Sequence, residues 1–413
     1  MAITVYSNIR QLLTLEGVKS KNGIKINRDD LGIKEEAYIV VENGLVKETG
    51  SSKKTPTADK NVDLKGAVVL PAFVDSHTHI TFAGSRANEF EMRSEGKTYI
   101  EIAKEGGGIL STVNATRKTS LDELYTGSLK NIKRMNKFGV GLIEAKSGYG
   151  LDIETEIKQL EAIAKASKDY PFLVPTFLGA HDTPSGTGSK ESRKAEFIDL
   201  MLKKLIPMVA EKKLAKFCDV FLEDGYYTRE ETKALLLAAK KHGMIPKIHA
   251  DEFTDQDGAM LAVELEAASA DHLLHISNKG IDALAGSNTV GTILPGTSFN
   301  LGLKYAPAKK MIDAGVCLAI ASDFNPGSNA SLNFQLILAI AITQCKISVA
   351  QAIAAGCYGG ARALRMPETF GHLTTGANAI FQVYDAATYN DIFYNYGENF
   401  LRETIFVQNS AKS

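Results

Sequence analysis

Residues 67–79 read AVVLPAFVDSHTH, and this stretch decides how the whole chain is interpreted. An apolar run leads here into a polar segment that contains His77 and His79. A short continuous apolar run is typical of a strand that is buried on both faces. Because side chains alternate along a strand, two histidines separated by one residue point to the same face. We therefore expect a buried strand that ends in a pair of imidazoles able to bind one metal ion.

Beyond this stretch, buried-strand patterns alternate with helical ones. Residues 154–167, 194–211 and 228–242 carry apolar side chains three and four positions apart, which is the spacing of an amphipathic helix. Such alternation is the pattern of βα units around a parallel sheet. The predicted strands cover residues 68–79, 140–146, 172–181, 216–223, 244–251, 267–274, 289–294 and 317–323. The predicted fold class is therefore α/β, with a (β/α)8 TIM-like barrel of eight strands.

Both ends of the chain have extended character outside this barrel. Residues 37–49 form two short runs joined by Asn43-Gly44, a dipeptide that favours a tight hairpin. Residues 379–384 and 404–407 are also strand-like. We expect these segments to pair in a discontinuous small β-sandwich domain. The predicted limits are 1–66 and 366–413 for the β domain and 67–365 for the barrel, and a chain of 413 residues has room for both.

The composition excludes several functional classes. With 47 basic and 48 acidic residues, the chain lacks the positive excess that nucleic-acid or anionic membrane binding needs. Neither a signal peptide nor an apolar run of about 18 residues is present, so we expect a cytoplasmic protein. The four cysteines are scattered without a CxxC pair, which favours reduced, buried thiols.

Chemistry-bearing side chains recur where the predicted strands end. In a (β/α)8 barrel the active site lies at the C-terminal ends of the strands. A single histidine at such a position is more often a hydrogen-bonded core residue, but several converging from different strands favour a metal site with a position open for water. Imidazole and carboxylate ligands suit zinc or ferrous iron. The candidates at strand ends are His77, His79, His181, His249, Glu252, His272 and Asp323.

Seven motifs carry a resemblance to a known family, and they span most of the predicted barrel. They are 71–79 (PAFVDSHTH), 82–86 (FAGSR), 106–113 (GGGILSTV), 146–152 (KSGYGLD), 249–253 (HADEF), 269–273 (SADHL) and 322–328 (SDFNPGS). Together they resemble the amidohydrolase superfamily and, within it, the imidazolonepropionase branch. KSGYG and DFNPGS are the most specific motifs, whereas the His-x-His pair alone is typical of the whole superfamily.

The resemblance implies a function. It implies a cyclic amidohydrolase that opens the ring of 4-imidazolone-5-propanoate to N-formimidoyl-L-glutamate in histidine degradation, with one divalent metal per subunit, zinc or iron, and a homodimer. The implied metal ligands are His77, His79, His249 and Asp323. A metal-bound water needs proton transfer and a polarised carbonyl, for which the candidate catalytic residues are Glu252, His272 and Asp323.

The resemblance also implies the substrate contacts. These are Arg86, Tyr149, His181, Glu252, Asn325, Gly327 and Ser328. The planar fork of Arg86 suits a propanoate carboxylate, although most arginines are solvated surface residues. The turn at residues 325–328 leads into a helix predicted at 332–342, whose N-terminal amides favour an anion, with helix capping as the alternative.

Two segments depart from the family pattern, and three alternatives stay open. Residues 182–188 (DTPSGTG), expected to border the substrate, and 299–303 (FNLGL) differ from the usual sequences and put the substrate in doubt. The first alternative is a deaminase of the same superfamily that acts on a heterocycle or formimidoyl compound. The second is a carbamylated Lys146 that bridges two metals, which its predicted position on the second strand disfavours. The third is a non-catalytic scaffold, which the retained ligands disfavour.

Overall fold

Eight parallel strands form the centre of the protein. The computed structural model describes residues 3–51, 55–97, 101–102 and 105–407. The eight strands hydrogen-bond in chain order, as the predicted (β/α)8 barrel requires. They are Phe73–Asp75 (β5), Val140–Lys146 (β6), Leu173–Ala180 (β7), Phe217–Leu222 (β8), Ile245–Ala250 (β9), Ser269–His272 (β10), Val290–Ile293 (β11) and Leu318–Ile320 (β12).

The barrel closes between its last and first strands. The amide of Asp323 donates to the carbonyl of His77 at 2.9 Å, and the amide of His79 donates to the carbonyl of Phe324 at 2.9 Å. Both hydrogen bonds lie just beyond the C-terminal ends of β12 and β5. The predicted barrel is therefore confirmed, and its seam passes through the predicted metal ligands.

Helices connect the strands and cover the barrel. Several begin with a side-chain cap, as at Ser120, where the hydroxyl accepts from the Glu123 amide and the Glu123 carboxylate accepts from the Ser120 amide. Two segments of π-helix, Met201–Leu205 and Ala355–Gly359, continue neighbouring α-helices. The α-helices described are Glu16–Ser20, Ala87–Ser94, Ile109–Lys118, Leu121–Asn136, Ile153–Asp169, Lys190–Leu200, Ile206–Glu211, Arg229–Lys241, Gly258–Glu264, Asn278–Ala285, Pro295–Leu301, Ala308–Ala314, Phe334–Gln344, Val349–Ala354, Gly360–Ala363 and Asp391–Tyr394.

A second sheet combines the two ends of the chain. Its strands are Ile3–Leu13 (β1), Ile33–Glu42 (β2), Leu45–Ser51 (β3), Lys60–Pro71 (β4), Ile380–Tyr384 (β13) and Leu401–Phe406 (β14). Their order is β14-β13-β4-β1-β2-β3, with β13 antiparallel to β4. The small β domain drawn from both termini is thus confirmed. It is a single sheet that curls. The Val46 amide of edge strand β3 donates to the carbonyl of Ala377, just before β13 near the other edge, at 2.8 Å.

The stretch 67–79 is shared between the two sheets, so the predicted first barrel strand at 68–79 is wrong in its extent. Residues up to Pro71 belong to β4 of the small sheet, and the barrel strand is limited to Phe73–Asp75. Proline has no amide hydrogen to donate to a ladder, and the Ala72 amide donates to the Ile380 carbonyl of the small sheet at 3.1 Å. The domain limits at 66/67 and 365/366 stay a prediction.

Two expectations from composition concern cysteines and membranes. Cys218, Cys317, Cys345 and Cys357 are all buried and free, as predicted for reduced thiols. Among the described residues, none of the helices has both the length and the apolar character needed to cross a bilayer.

Candidate metal centre and substrate cavity

A cavity of about 540 Å³ opens at the C-terminal ends of the barrel strands. With the exception of His77, which lies fully buried beneath it, every predicted site residue lines this cavity. The lining residues are His79, Arg86, Arg93, Ile109, Tyr149, His181, Phe221, Tyr226, His249, Glu252, Phe253, His272, Leu301, Leu303, Asp323, Asn325, Gly327 and Ser328. Barrel topology thus gathers residues that are far apart in the chain.

Within the part of the chain that the structure describes, three groups of possible metal donors share His77: two contain the other predicted ligands, and the third joins His77 to Asp219 and Asp271. In one group, the Nε2 atoms of His77 and His79 lie 3.6 and 3.4 Å from Oδ1 of Asp323. In the second, His77 lies with His249 and His272, and donor atoms within each group are within 4.8 Å of one another. The ring centroids of His77 and His249 are 4.5 Å apart. The fourth predicted ligand, His249, therefore reaches the first group through His77 rather than through Asp323.

The state of these donors fits a divalent cation. Among the described residues, His77 Nε2 and His249 Nε2 are buried without a hydrogen-bond partner, a costly situation that a bound cation would relieve. His79 directs its Nε2 atom at Asp323. Burial lowers the pKa of His77 and His79, so that both imidazoles are neutral and keep a lone pair for a metal. Burial acts in the opposite direction on Asp323, but the hydrogen bond from His79 holds the pKa of Asp323 below its usual value.

The backbone turns sharply where these side chains are presented. Asp251, His272, Leu273 and Asp323 have φ values of 53, 81, 63 and 52°, in the left-handed region that non-glycine residues rarely adopt. Asp251 is held there because its carboxylate accepts from the amides of Gly258 and Ala259 at 2.9 and 3.1 Å, at the start of the next helix. Strain of this kind is characteristic of functional sites in which surrounding contacts fix the conformation.

Asp323 is also fixed by the hydroxyls around it. Thr297 Oγ1 donates to Asp323 Oδ2 at 2.6 Å, and Ser328 Oγ lies 3.2 Å from the same oxygen. Asn325 Oδ1 accepts from the amides of Gly327 and Ser328, each at 2.8 Å, and so folds the turn on itself. The following helix begins at Phe334 rather than at 332, and its end is capped by Asn333. The cap is Asn333, which accepts from the Leu336 amide at 3.0 Å, and not the turn at residues 325–328; the predicted anion site at the N-terminal amides stays a prediction.

Arg86 is a buried ion-pair partner rather than a solvated surface residue. Its Nε and Nη2 atoms donate to the two carboxylate oxygens of Glu89 at 2.9 and 2.8 Å. Glu89 Oε1 in turn accepts from the Gly108 amide at 2.8 Å. This bond joins helix Ala87–Ser94 to the start of helix Ile109–Lys118. A Cβ atom at Gly327 would collide with Arg86 Nη1 unless the guanidinium moved, so glycine at this position lets the guanidinium lie against the turn.

A second cationic side chain in the cavity was missed by the sequence interpretation. Arg93 lines the cavity, and its Nε atom is buried without a hydrogen-bond partner among the described residues. Burial lowers the pKa of Arg93. A signal existed, because residues seven apart lie on the same face of a helix and Arg93 follows Arg86 at that spacing.

Tyr149 and His181 form an aromatic wall next to His79. The rings of His79 and His181 stack with centroids 5.0 Å apart and an interplanar angle of 20°. Nδ1 of His181 lies 3.0 Å from the Gly148 carbonyl, which assigns the proton to Nδ1 and leaves Nε2 as an acceptor. Burial places the pKa of His181 well below its usual value, so this imidazole is neutral.

Glu252 and His272 form an acid-base pair on the other side of the cavity. Oε1 of Glu252 lies 3.4 Å from Nδ1 of His272. Burial, together with the carboxylates of Asp323 and Glu223, raises the pKa of Glu252 well above its usual value. Burial lowers the pKa of His272 to about 3. The two shifts favour a proton on the Glu252 carboxyl group over one on the His272 imidazole, so that Glu252 is the candidate proton donor within the cavity.

A known protein family matches most of this chain. The family model described as "Amidohydrolase family" matches residues 68–411, which is most of the chain. The chain belongs to the amidohydrolase family. It is therefore a hydrolase that acts on carbon-nitrogen bonds, and membership implies a divalent metal at donors such as those described above.

Relatives of this amidohydrolase extend over nearly its full length. An imidazolonepropionase from Clostridium tetani (strain Massachusetts / E88) is 41% identical over 407 residues, covering 97% of this chain and 96% of the relative. An imidazolonepropionase from Bacillus thuringiensis (strain Al Hakam) is 43% identical over 403 residues, covering 96% and 94%. A zinc-bound adenosine deaminase from Xanthomonas campestris has a TM-score of 0.72 at 15% identity, covering 98% and 91%, and shares the fold.

Two further expectations concern residues next to the amidohydrolase site. Residues 182–188, predicted to border the substrate, do not line the cavity, whereas Leu301 and Leu303 of the other divergent segment do. The Tyr227 hydroxyl donates to the Asp182 carbonyl at 3.0 Å, which holds the start of the first segment against the neighbouring strand connection. Lys146 lies on the second barrel strand, as predicted, and its Nζ pairs with Asp219 at 2.7 Å.

Proposed function

We propose that this amidohydrolase is an imidazolonepropionase, which opens the ring of 4-imidazolone-5-propanoate by hydrolysis and releases N-formimidoyl-L-glutamate. The observation that carries the proposal is the identity of 41 to 43% to imidazolonepropionases over at least 94% of either chain. The cavity supports it, because the residues implied as substrate contacts by the sequence motifs all line one space of about 540 Å³. That space is large enough for a small heterocycle with a three-carbon acid chain.

The proposed cofactor is one zinc or iron ion held by His77, His79, His249 and Asp323. Neutral imidazoles and an ionised carboxylate are ligands that both metals accept. When bound, such an ion lowers the pKa of water to about 7 and polarises a carbonyl group. The buried Nε2 atoms of His77 and His249, which have no hydrogen-bond partner among the described residues, and the approach of His79 Nε2 to Asp323 support this ligand set.

The chain's own residues handle the protons of the proposed reaction. The water oxygen adds to the ring carbonyl carbon, the ring carbon-nitrogen bond breaks, and the released nitrogen takes up a proton. Asp323, whose pKa is lowered, accepts a proton, while Glu252, whose pKa is raised, donates one. His272 lies beside Glu252 as a neutral imidazole and orients the developing oxyanion and the proton path.

The cavity also provides groups that recognise the proposed substrate. Arg86 keeps only its Nη1 edge free of Glu89, and this edge lies next to Gly327 at the cavity wall, where it can donate to the propanoate carboxylate. Tyr149 and His181 form the aromatic wall that packs against the ring. Asn325, Gly327 and Ser328 shape the turn on the opposite side.

The decisive experiment follows the ultraviolet absorbance of 4-imidazolone-5-propanoate and identifies the product. We expect metal-dependent loss of the substrate, formation of N-formimidoyl-L-glutamate, and loss of both after chelation with recovery on addition of zinc or iron. His249→Asn should remove activity, whereas His242→Asn, an exposed histidine at the end of helix Arg229–Lys241, should not. Release of ammonia from an aminated heterocycle without ring opening would instead identify a deaminase.

The cellular setting and oligomeric state form a separate proposal. We propose a cytoplasmic homodimer that acts on a free small molecule, which the family resemblance implies and the balanced charge of 47 basic and 48 acidic residues supports. Sedimentation of the purified protein should give twice the mass of the 44.6 kDa chain. A monomer at micromolar concentration would contradict the dimer without affecting the reaction.

A further inference from the structure

A layer of buried charges lies beneath the histidines of the site. The interior of such a barrel is ordinarily filled by branched apolar side chains. Here four of the strands that follow β5 place lysines or carboxylates in it. The residues are Glu144 and Lys146 on β6, Asp219 on β8, Lys247 on β9 and Asp271 on β10, each fully buried. Sequence analysis considered Lys146 only as a metal-bridging residue and did not consider the others.

On one side, this layer contacts His249. Asp219 Oδ2 lies 3.1 Å from Nδ1 of His249, and Asp219 Oδ1 accepts from the His249 amide at 3.2 Å. Lys146 Nζ donates to Asp219 Oδ2 at 2.7 Å. Burial alone would lower the pKa of Lys146, but Asp219 and Glu144 raise it above its usual value, so the lysine is charged. A cation thus fixes the carboxylate behind His249.

On the other side, the layer contacts His77, here through a hydrogen bond. Asp271 Oδ2 lies 2.7 Å from Nδ1 of His77. Lys247 Nζ lies 3.5 Å from the same carboxylate oxygen and donates to the Ser76 carbonyl at 2.7 Å. A second cation therefore holds both the carboxylate behind His77 and the backbone just before this histidine.

Glu144 joins the two halves into one chain of alternating charge. Its Oε1 atom accepts from Lys146 at 3.0 Å and lies 3.0 Å from Nζ of Lys247. Thr176 Oγ1 donates to the same oxygen at 2.6 Å, which further fixes the carboxylate. The chain therefore runs without a gap from one imidazole to the other, although His77 follows β5 and His249 lies on β9.

Stability does not account for this arrangement. Removing charges from water costs more than their attraction usually returns, and well-packed apolar residues of similar volume would stabilise the fold as well or better. Geometry does account for it. A carboxylate at Nδ1 fixes the tautomer and the ring orientation of a histidine. With Asp271 and Asp219 beside their Nδ1 atoms, His77 and His249 both keep Nε2 without a hydrogen-bond partner among the described residues.

We propose that Lys146, Lys247 and Glu144 are positioning residues, which couple the orientation of His77 and His249 through Asp271 and Asp219 so that the two imidazoles act as one preformed half of the metal centre. The inference rests on the proposed metal ligands His77 and His249. It goes beyond them because it assigns a role to three ionisable residues that contact neither metal nor substrate.

The first test measures zinc affinity of the metal-free protein by competition with a chelator. Lys146→Met and Lys247→Met should each raise the dissociation constant about 10-fold to 100-fold, the range found when partners of metal-binding histidines are removed. Lys158→Met is the matched control, because this lysine donates to three backbone carbonyls, of Thr116, Arg117 and Thr119, outside the site. It should leave the zinc affinity unchanged even where it lowers the melting temperature.

The second test uses Glu144→Gln and remains informative if the lysine variants do not fold. It also separates this proposal from the proposed reaction. Glu144→Gln keeps the shape of the side chain, and long-range proton-nitrogen spectra of the metal-free protein report the tautomers of His77 and His249. We expect Nδ1-protonated rings in the wild type and mixed tautomers in Glu144→Gln. Unchanged tautomers together with unchanged zinc affinity in the folded variants would overturn the proposal, as would equal weakening by Lys158→Met. Lack of activity on imidazolone propanoate would overturn the reaction alone.

Discussion

The curled six-stranded sheet encloses a cluster of apolar side chains, among them Ile9, Val69 and Phe381, whereas the eight-stranded barrel encloses lysines, carboxylates and histidines beneath its cavity. Both interiors are equally inaccessible to water. Apolar burial stabilises a fold by about 25 cal/mol per Å², while buried charges stabilise little and fix geometry. The difference indicates that the small sheet contributes stability and the barrel interior is organised for chemistry.

The largest effect is expected for Asp323→Asn, which leaves the size of the side chain unchanged but removes its charge. Loss of a general acid-base group lowers the rate by about 10²-fold to 10⁴-fold, and loss of a metal ligand adds to this. We expect kcat/KM and bound metal to fall together. Full activity with stoichiometric metal in the variant would refute the assigned role of Asp323.

The second prediction concerns the core of the small sheet. Phe381→Ala removes a fully buried ring that packs edge-on against Tyr6 with centroids 5.0 Å apart. The free energy of unfolding should fall by about 3 to 5 kcal/mol, the usual cost of such a truncation. Denaturant unfolding measures this loss, and kcat/KM per folded molecule should stay at the wild-type value. A matching loss of kcat/KM would show that the sheet and the site are energetically coupled.

The third prediction concerns acid stability of the metal-free protein. The pKa of His272 falls from 6.5 to about 3 on burial, so below about pH 6.5 the unfolded chain binds more protons than the native one and stability falls as the pH falls. His272→Asn should reduce this dependence by about 1.4 kcal/mol per pH unit. Urea unfolding between about pH 7 and pH 5 measures the slope. The exposed His242→Asn is the control, and an equal slope in both variants would contradict the argument.

The smallest effect is expected for Tyr394→Ala at the surface beside the small sheet. This side chain is 81% exposed. Surface substitutions of this kind change the free energy of unfolding by no more than about 0.5 kcal/mol. Unfolding and sedimentation of the variant check this, and dissociation of a dimer on substitution would reveal an interface in place of a free surface.

The barrel could be predicted from the sequence because its strands are short apolar runs separated by amphipathic helices. The site candidates followed from the rule that barrel strands deliver functional residues at their C-terminal ends, and His79, His181, His249, His272 and Asp323 indeed line one cavity. The division of residues 67–79 between two sheets could not be predicted, since both parts are equally apolar. Only the partners of each strand distinguish Val69 in the small sheet from Phe73 in the barrel.

The charged layer was missed although the sequence contained a signal for it. Lys247 precedes His249 by two residues and Glu144 precedes Lys146 by two, so that each pair lies on one face of a buried strand. A lysine there has no apolar explanation and requires a buried partner. The ion pair of Arg86 with Glu89 was likewise not predicted, since an arginine at the start of a loop gives no information on whether it is buried.

The seam of the barrel has a consequence for synthesis of the protein. Asp75 accepts from the Ser322 amide at 2.9 Å across 247 positions of the chain, right beside the hydrogen bonds that join His77 to Asp323. His77 and His79 leave the ribosome long before their carboxylate partner exists. A nascent or truncated chain therefore cannot assemble the complete ion-binding centre, and uptake of the ion would mark the moment at which the ring of strands has closed.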